Sequence, residues 1–417
     1  MPKFWRKKVI LFKLESSYGV DPTPTGSANA VQATQVSLTP MDGNDLDRGL
    51  DFAWLGRSET IPDQLTVQLD FRVELAGSGS GGTAPAWGPL IKACRFAETV
   101  KASTGANTIA ASPPVDVGTP EGGFTYAVGD PYVGNHGRLV TLACTTGGAS
   151  ATAEFTVSAP ADGSVAAYSQ TGVVMTDSGS FALGGGATIT PTVTGSFTIA
   201  DTFTIALEPA RVEYAPNSTE AHASATMYIN VDGTLFKALG ARGNVQVMIE
   251  RGLPYLHFVM RGLFSPAADA ALPTAVLTDW MTPKPTGSAN TPTVSLLGVA
   301  LAVERLEIDM QNAVESRFLV NSEAVLIGDR APGGQLVCEA VALATLNPFA
   351  AATATPKTKG ALALVHGTAT GGIVDVDCPS VALGRTSIGE SQRIVTWTIP
   401  LEILPVAGDD EVLITVK

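Results

Sequence analysis

The residues best suited to chemistry in this 417-residue chain are a glycine-rich run, a few acidic clusters, four histidines and four cysteines. Gly77-Ser78-Gly79-Ser80-Gly81-Gly82 satisfies GxGxxG and stands between a strand-like and a helix-like segment, where such a loop can bring a pyrophosphate to a helix N-terminus. Its context opposes a dinucleotide site. The preceding segment alternates apolar and polar residues, whereas the first strand of a dinucleotide fold is buried on both faces. Thr83, Ala84 and Pro85 separate the glycines from the helix, and no βαβ unit follows. The run reads as a flexible loop.

Asp42-Gly43-Asn44-Asp45-Leu46-Asp47 offers oxygens like a calcium loop, but Asp47 holds the position that needs Gly and Ala53 the one that needs Glu. It reads as a solvated turn. Asp375 and Asp377 share one face of an expected strand end, without a third ligand in the pattern. Asp409, Asp410 and Glu411 read as a turn or a subunit contact. His136, His222, His257 and His366 fall in no HExxH frame and read as surface or interface histidines; His257 alternates with Leu256 and Phe258 and so points off a core face. Cys94, Cys144, Cys338 and Cys378 are too widely spaced for a metal knuckle or CxxC, and read as reduced, partly buried thiols of a chain made in the cytoplasm. With no GxSxG and no paired-carboxylate motif, the residues assign no catalytic, cofactor-binding or metal-binding position, and the chain reads as a non-enzyme.

The elements that would carry these residues are mostly strands. Leu65, Val67, Leu69, Phe71, Val73 and Leu75 alternate with Thr66, Gln68, Asp70, Arg72 and Glu74, a long strand with one face in a core. Residues 394–403 repeat the pattern, with Pro400 removing a ladder donor and so marking an edge or a bulge. TMYINVDGTLF at 226–236 predicts a hairpin turning on Asp232-Gly233, followed by strands at 246–250 and 255–264. One helix is predicted over 84–100, with Leu90, Ile91, Cys94 and Ala97 on one stripe.

Composition narrows the class. Only 16% of residues are charged, well below the roughly 25% of ordinary soluble domains, and the apolar mass is mostly Ala, Val and Leu. Such a chain has much uncharged surface or much surface buried between subunits. The net charge of −13 argues against a protein that grips nucleic acid, but does not exclude one that nucleic acid merely passes. The apolar runs at 9–12 and 296–303 are too short for a signal peptide or a membrane span.

A repeat organises the chain. PTGSAN occurs at 24–29 and 285–290, each time followed by VSL, at 36–38 and 294–296. Gln64-Leu65 matches Gln335-Leu336, and Leu256 matches Ile394, in the same order, which predicts an internal duplication. The first copy then holds roughly 130 more residues between those points than the second. From Leu139 to Leu207 there is no Lys or Arg, and short strand-like runs recur at 152–160, 172–179, 188–195 and 197–207, as in an inserted β-sandwich.

LESSYGVDPTPTGSANAVQATQVSLTP at 14–40, the alternating strand, ELAGSGSGGTAPAWGPLIKACRFAET at 74–99, the segment 226–264 and the ending IPLEILPVAGDDEV at 399–412 together resemble the major tail tube proteins of long, flexible-tailed bacteriophages. The resemblance covers most of the chain outside about 110–210. It implies a mainly β fold: two tandem tube-type β-barrel or sandwich domains, each with a flanking helix, plus an inserted immunoglobulin-like β-sandwich. The expected domains are 1–110 with 211–278, the insert 111–210, and 279–417. It also implies a structural virion protein whose rings stack into the tail tube, the conduit for double-stranded DNA ejection, assembled in the host cytoplasm. The implied partners are further copies of itself, a tape-measure protein in the lumen, tail terminator and distal tail proteins at the ends, and DNA in transit without specific binding, with no membrane insertion and no cofactor. Rings of this family commonly hold six tube domains, so two per chain predict a trimeric ring with pseudo-sixfold symmetry. The alternatives are a secreted or surface β-repeat binding protein of adhesin type and, opposed by the context of the GxGxxG run, a nicotinamide or flavin enzyme.

Overall fold

A computed structural model describes residues 2–103, 115–117, 122–162, 164–199, 201–220 and 222–417. The chain is mainly β. Its first stretch forms β1 (Lys8–Leu14), β2 (Ala30–Val31), β3 (Ala33–Asp47), β4 (Thr60–Glu74), α1 (Gly88–Lys92) and β5 (Phe96–Lys101). An intervening stretch forms β6 (Val115–Val117), β7 (Gly123–Val128), β8 (Arg138–Thr146), β9 (Glu154–Ala159), β10 (Tyr168–Val174), β11 (Phe181–Gly184), β12 (Ala187–Thr194) and β13 (Thr202–Leu207). The chain then continues through β14 (Arg211–Pro216), β15 (Ala225–Val231), β16 (Thr234–Glu250) and β17 (Tyr255–Asp269). The last stretch adds β18 (Thr293–Leu296), β19 (Val299–Ala300), β20 (Val303–Asp309), β21 (Asn312–Leu319), β22 (Ser322–Arg330) and β23 (Gly333–Glu339). It closes with α2 (Pro348–Thr353), β24 (Lys359–His366), β25 (Val374–Leu383), β26 (Ser387–Ser391), β27 (Ile394–Ile403) and β28 (Leu413–Val416). No helix of the described residues is long and apolar enough to cross a membrane.

Eight antiparallel strands form one layer in the order β3-β4-β17-β16-β20-β23-β27-β26. The long β16 makes this continuity possible, because its first half pairs with β15 and its second half with β20. A second layer runs β5-β14-β28-β25-β24-β18. The layers enclose one apolar core, with Leu69, Phe71, Phe258 and Tyr214 from the first half and Leu336, Leu364, Val376 and Ile399 from the second. Period-two alternation builds it: from Val67 to Glu74 every second side chain of β4 is buried and the others face outward. Pro400 sits where the neighbour of β27 changes from β26 to β25, so no partner strand needs its missing N–H. Asp232 and Gly233 both take positive φ, 44° and 91°, in the two-residue turn between β15 and β16.

The helix expected over 84–100 forms only in part, and the stretch ends as a strand. α1 covers only 88–92, and Arg95 takes a φ of 68°, which no helix continues. The Arg95 guanidinium donates to the carbonyls of Asn217, Ser218 and Ile327, and the next residues pair as β5 with β14. Long-range pairing overrides the local stripe. Each half keeps only a short helix, after β4 and after β23.

The expected repeat has local counterparts in the structure. PTGSAN forms a turn before a short strand both times, and Asn29 and Asn290 each reach back to residues 25 and 285. β4 and β23 hold equivalent places, as do β17 and β27. The VSL match fails: 36–38 lie in β3 beside β4, whereas 294–296 lie in β18 beside β24. The matched pairs are also out of register. Carried over, the Val73–Leu256 pair would fall on Ala344 and Ile394, but β23 ends at Glu339 and Ile394 pairs with Ser391.

Residues 122–207 hold a separate core. A five-stranded sheet, β10-β9-β8-β13-β6, and a three-stranded one, β11-β12-β7, enclose Phe124, Phe155, Phe197 and Phe203, whose rings pack edge to face. The boundary expected at 110–111 lies outside the described residues.

Candidate functional site: a polar sheet face and an apolar loop

The outward face of the eight-stranded layer is polar across both halves. Ladder register places Arg72, His257, Gln246, Asp309 and Glu402 in one row, and Glu74, Tyr255, Met248, Glu307 and Gln335 in the next. Asp70, Glu74, Glu250, Glu307, Asp309 and Glu402 outnumber Arg72, Arg261 and Arg305 on this face. Two of these cations are held by neighbours: Arg261 Nη2 lies 3.2 Å from Asp42 Oδ2 and from Gln68 Oε1, and Arg305 Nη2 lies 2.8 Å from Glu307. His257 bridges Asp70 at 2.7 Å and Gln246 at 3.2 Å, off the core as its alternation predicts. The face is hydrophilic, with an acidic excess and no cluster of cations that would bind phosphate.

A second feature carries no periodic signal in the sequence. Between β3 and β4, residues 48–59 form a loop whose neck is closed by Asp47, which accepts from Gly49 N–H at 3.0 Å and from Ser58 Oγ at 3.2 Å. The loop displays Leu50, Phe52, Trp54 and Leu55, with Trp54 70% exposed and Leu55 fully so. Phe52 and Trp54 stack on each other, centroids 5.4 Å apart. The equivalent hairpin of the second half ends in a tight turn, also apolar, with Leu319 and Val320 exposed. The only hint in the sequence is DFAWLG itself, an aromatic run outside any strand or helix pattern.

The predicted chemistry-bearing residues are not brought together. The glycine-rich loop meets the loop at 367–372: a Cβ on Gly77 would lie 2.0 Å from the Gly371 carbonyl oxygen, and one on Gly371 2.2 Å from the backbone of Gly79. Gly79 N–H donates to Gly371 O, and Gly371 N–H to Lys417 O, each at 2.7 Å. These glycines let two backbones touch where the halves join. Asp42 to Asp47 are strand, not turn, because β4 starts early enough to pair Asp45 with Pro62 and Leu46 with Ile61.

Asp410 accepts from the N–H groups of Val406, Ala407 and Gly408, and these donors hold its carboxyl below the usual range. Asp409 and Glu411 clamp Arg330 of β22 at 2.6 and 3.0 Å, a contact within the chain. Asp375 pairs with Lys417 at 2.5 Å. Burial, then the neighbouring Asp375, push Asp377 up to about 6, against the pull of Lys417.

His366 is not the surface or interface histidine expected: it is 2% exposed, lies 3.0 Å from Thr291 Oγ1, and burial lowers its pKa. All four cysteines are free and fully buried, and burial pushes the Cys338 and Cys378 thiols up to about 11 and 12. No family model matches the chain, and no curated protein resembles it in sequence.

Proposed function

We propose that this chain is the building block of a phage tail tube. Three copies close into a ring with pseudo-sixfold symmetry, and rings stack into a hollow tube. The lumen guides a tape-measure protein during assembly and later passes double-stranded DNA, while terminator and distal tail proteins cap the ends. The observation that carries this reading is the eight-stranded layer, which runs without a break through both repeats and turns one polar face away from the core.

A conduit wall needs such a face: wettable, and short of free cations, so that phosphate slides past without capture. The apolar loop at 48–59 suits contacts between stacked rings, since exposed aromatics on a closed neck mark an interaction site. The 122–207 sandwich serves as an immunoglobulin-like decoration on the outside. Expression of the chain alone, followed by negative-stain electron microscopy, tests the reading. Rings or tubes with a central channel and threefold protrusions are expected; dispersed monomers overturn it, and monomers that bind glycan or a cell surface favour the adhesin alternative.

A further inference from the structure

The eight-stranded layer has two ends, and among the described residues neither is covered. β3 pairs only with β4, and β26 only with β27. Unpaired edges present rows of N–H and C=O groups that template the addition of another strand. The chain already contains one solution to this problem. At its centre the second half of β16 pairs with β20, joining the two repeats. β20 opens a long hairpin that returns through β23, as β3 does with β4; β26 precedes β27 as β16 precedes β17. The inner joint thus brings the equivalent of β26 against the equivalent of β3.

The ladders fix the register of that equivalence. Phe71 opposite Phe258 corresponds to Leu336 opposite Ile399, both pairs buried in the core. His257 opposite Gln246 then corresponds to Thr398 opposite Ser387, and Gln68 opposite Thr39 to Gly333 opposite Asp309. The joint pairs Gln246 with Asp309, Val247 with Ile308 and Met248 with Glu307. Transferred to the free edges, those pairs become Ser387 with Thr39, Ile388 with Leu38 and Gly389 with Ser37. The side chains agree. Val247 and Ile308 are 3% and 1% exposed in the joint, whereas Ile388, on the same face as the buried Trp397, is 67% exposed.

We propose that β26 of one copy adds antiparallel to β3 of a second copy with Ile388 opposite Leu38, reproducing between chains the β16–β20 joint within each chain. The interface is heterologous, so each copy offers one edge and accepts the other. The pairing rests on the ring reading only for the number of copies that close.

Cysteine pairs in the full chain test it. T39C/S387C and L38C/I388C are neighbouring opposed pairs, one of which sits at the closely spaced position of an antiparallel ladder. T39C/G389C is the control, slipped by two residues. The four native thiols are buried and stay silent. Under mild oxidation, covalent dimers and trimers on non-reducing gels are expected from at least one matched pair and not from the control. Equal linkage in the control, or no linkage in particles that electron microscopy shows as rings, overturns the pairing and leaves the tube reading standing. Matched linkage in chains that never close into rings does the reverse. A second variant, I388D, is expected to sediment as a monomer with wild-type circular dichroism; unchanged assembly by I388D overturns the proposal.

Discussion

Asp377 stands opposite Ala363 on one side and Leu413 on the other, two residues from the ion-paired Asp375. Its folded pKa of about 6 lies above the 3.8 of an ordinary aspartate, so the folded chain holds a proton that the unfolded chain releases. Its contribution is therefore fully present below about pH 4 and lost as pH rises through 6. D377N should stabilise the fold at pH 7.5 by about 1 kcal/mol, a figure discounted for partial solvent screening, and should change nothing at pH 4. Denaturant titration at the two pH values checks it; equal effects at both would show that charge is not the cause. Gly371, at φ +77° against the backbone of Gly79, makes a second prediction. G371A should cost about 2–3 kcal/mol in the same titration, through backbone strain and overpacking. The buried position of His366 was misread, although ALALVH sets it in phase with Leu362 and Leu364. The backbone contact at Gly77 was not legible, because it depends on a loop nearly three hundred residues away.

Among the elements, β4 and β27 could be read from alternation alone, since a strand with one buried face writes its period into the residue types. β3 could not. It is an edge strand whose lower half, PMDGNDLD, contains Pro, Gly and exposed acids, and only its pairing with β4 makes it extended. The helix over 84–100 failed for the opposite reason: a helical stripe was present, but Phe96 to Lys101 gain a full ladder with β14 instead. The loop at 48–59 belongs to this scale too. F52S/W54S should leave the thermal midpoint within about 2 °C of wild type, because neither ring is part of the core. The same variant should still give rings by negative-stain microscopy but lose stacking, and tubes of normal length would show that the loop does not join rings.

At the scale of the whole molecule, the sequence carried a repeated hexapeptide but no sign of how the two halves join. PTGSAN recurs as a turn before a short strand in each half, but the other matches fall out of register, and the pairings that join the halves, β16 with β20 and β14 with β28, link residues too distant for any local pattern to record. Both halves therefore share one core, and only 122–207 keeps its own. Scanning calorimetry should show two transitions, one for the sandwich and one for the fused body. Three would mean that the halves unfold separately, and one that the sandwich is coupled to the rest.

The place where that sandwich attaches has a further consequence. Lys101 and Arg211 face each other across β5 and β14, so the chain leaves the body and returns one strand spacing away, about 5 Å. That gap is the width of a simple hairpin turn, and any compact module whose termini lie close together fits it. By this geometry the neck can serve as an interchangeable mount. The module at this neck can be exchanged for a different sandwich, an epitope or an enzyme, while the body beneath keeps its sequence.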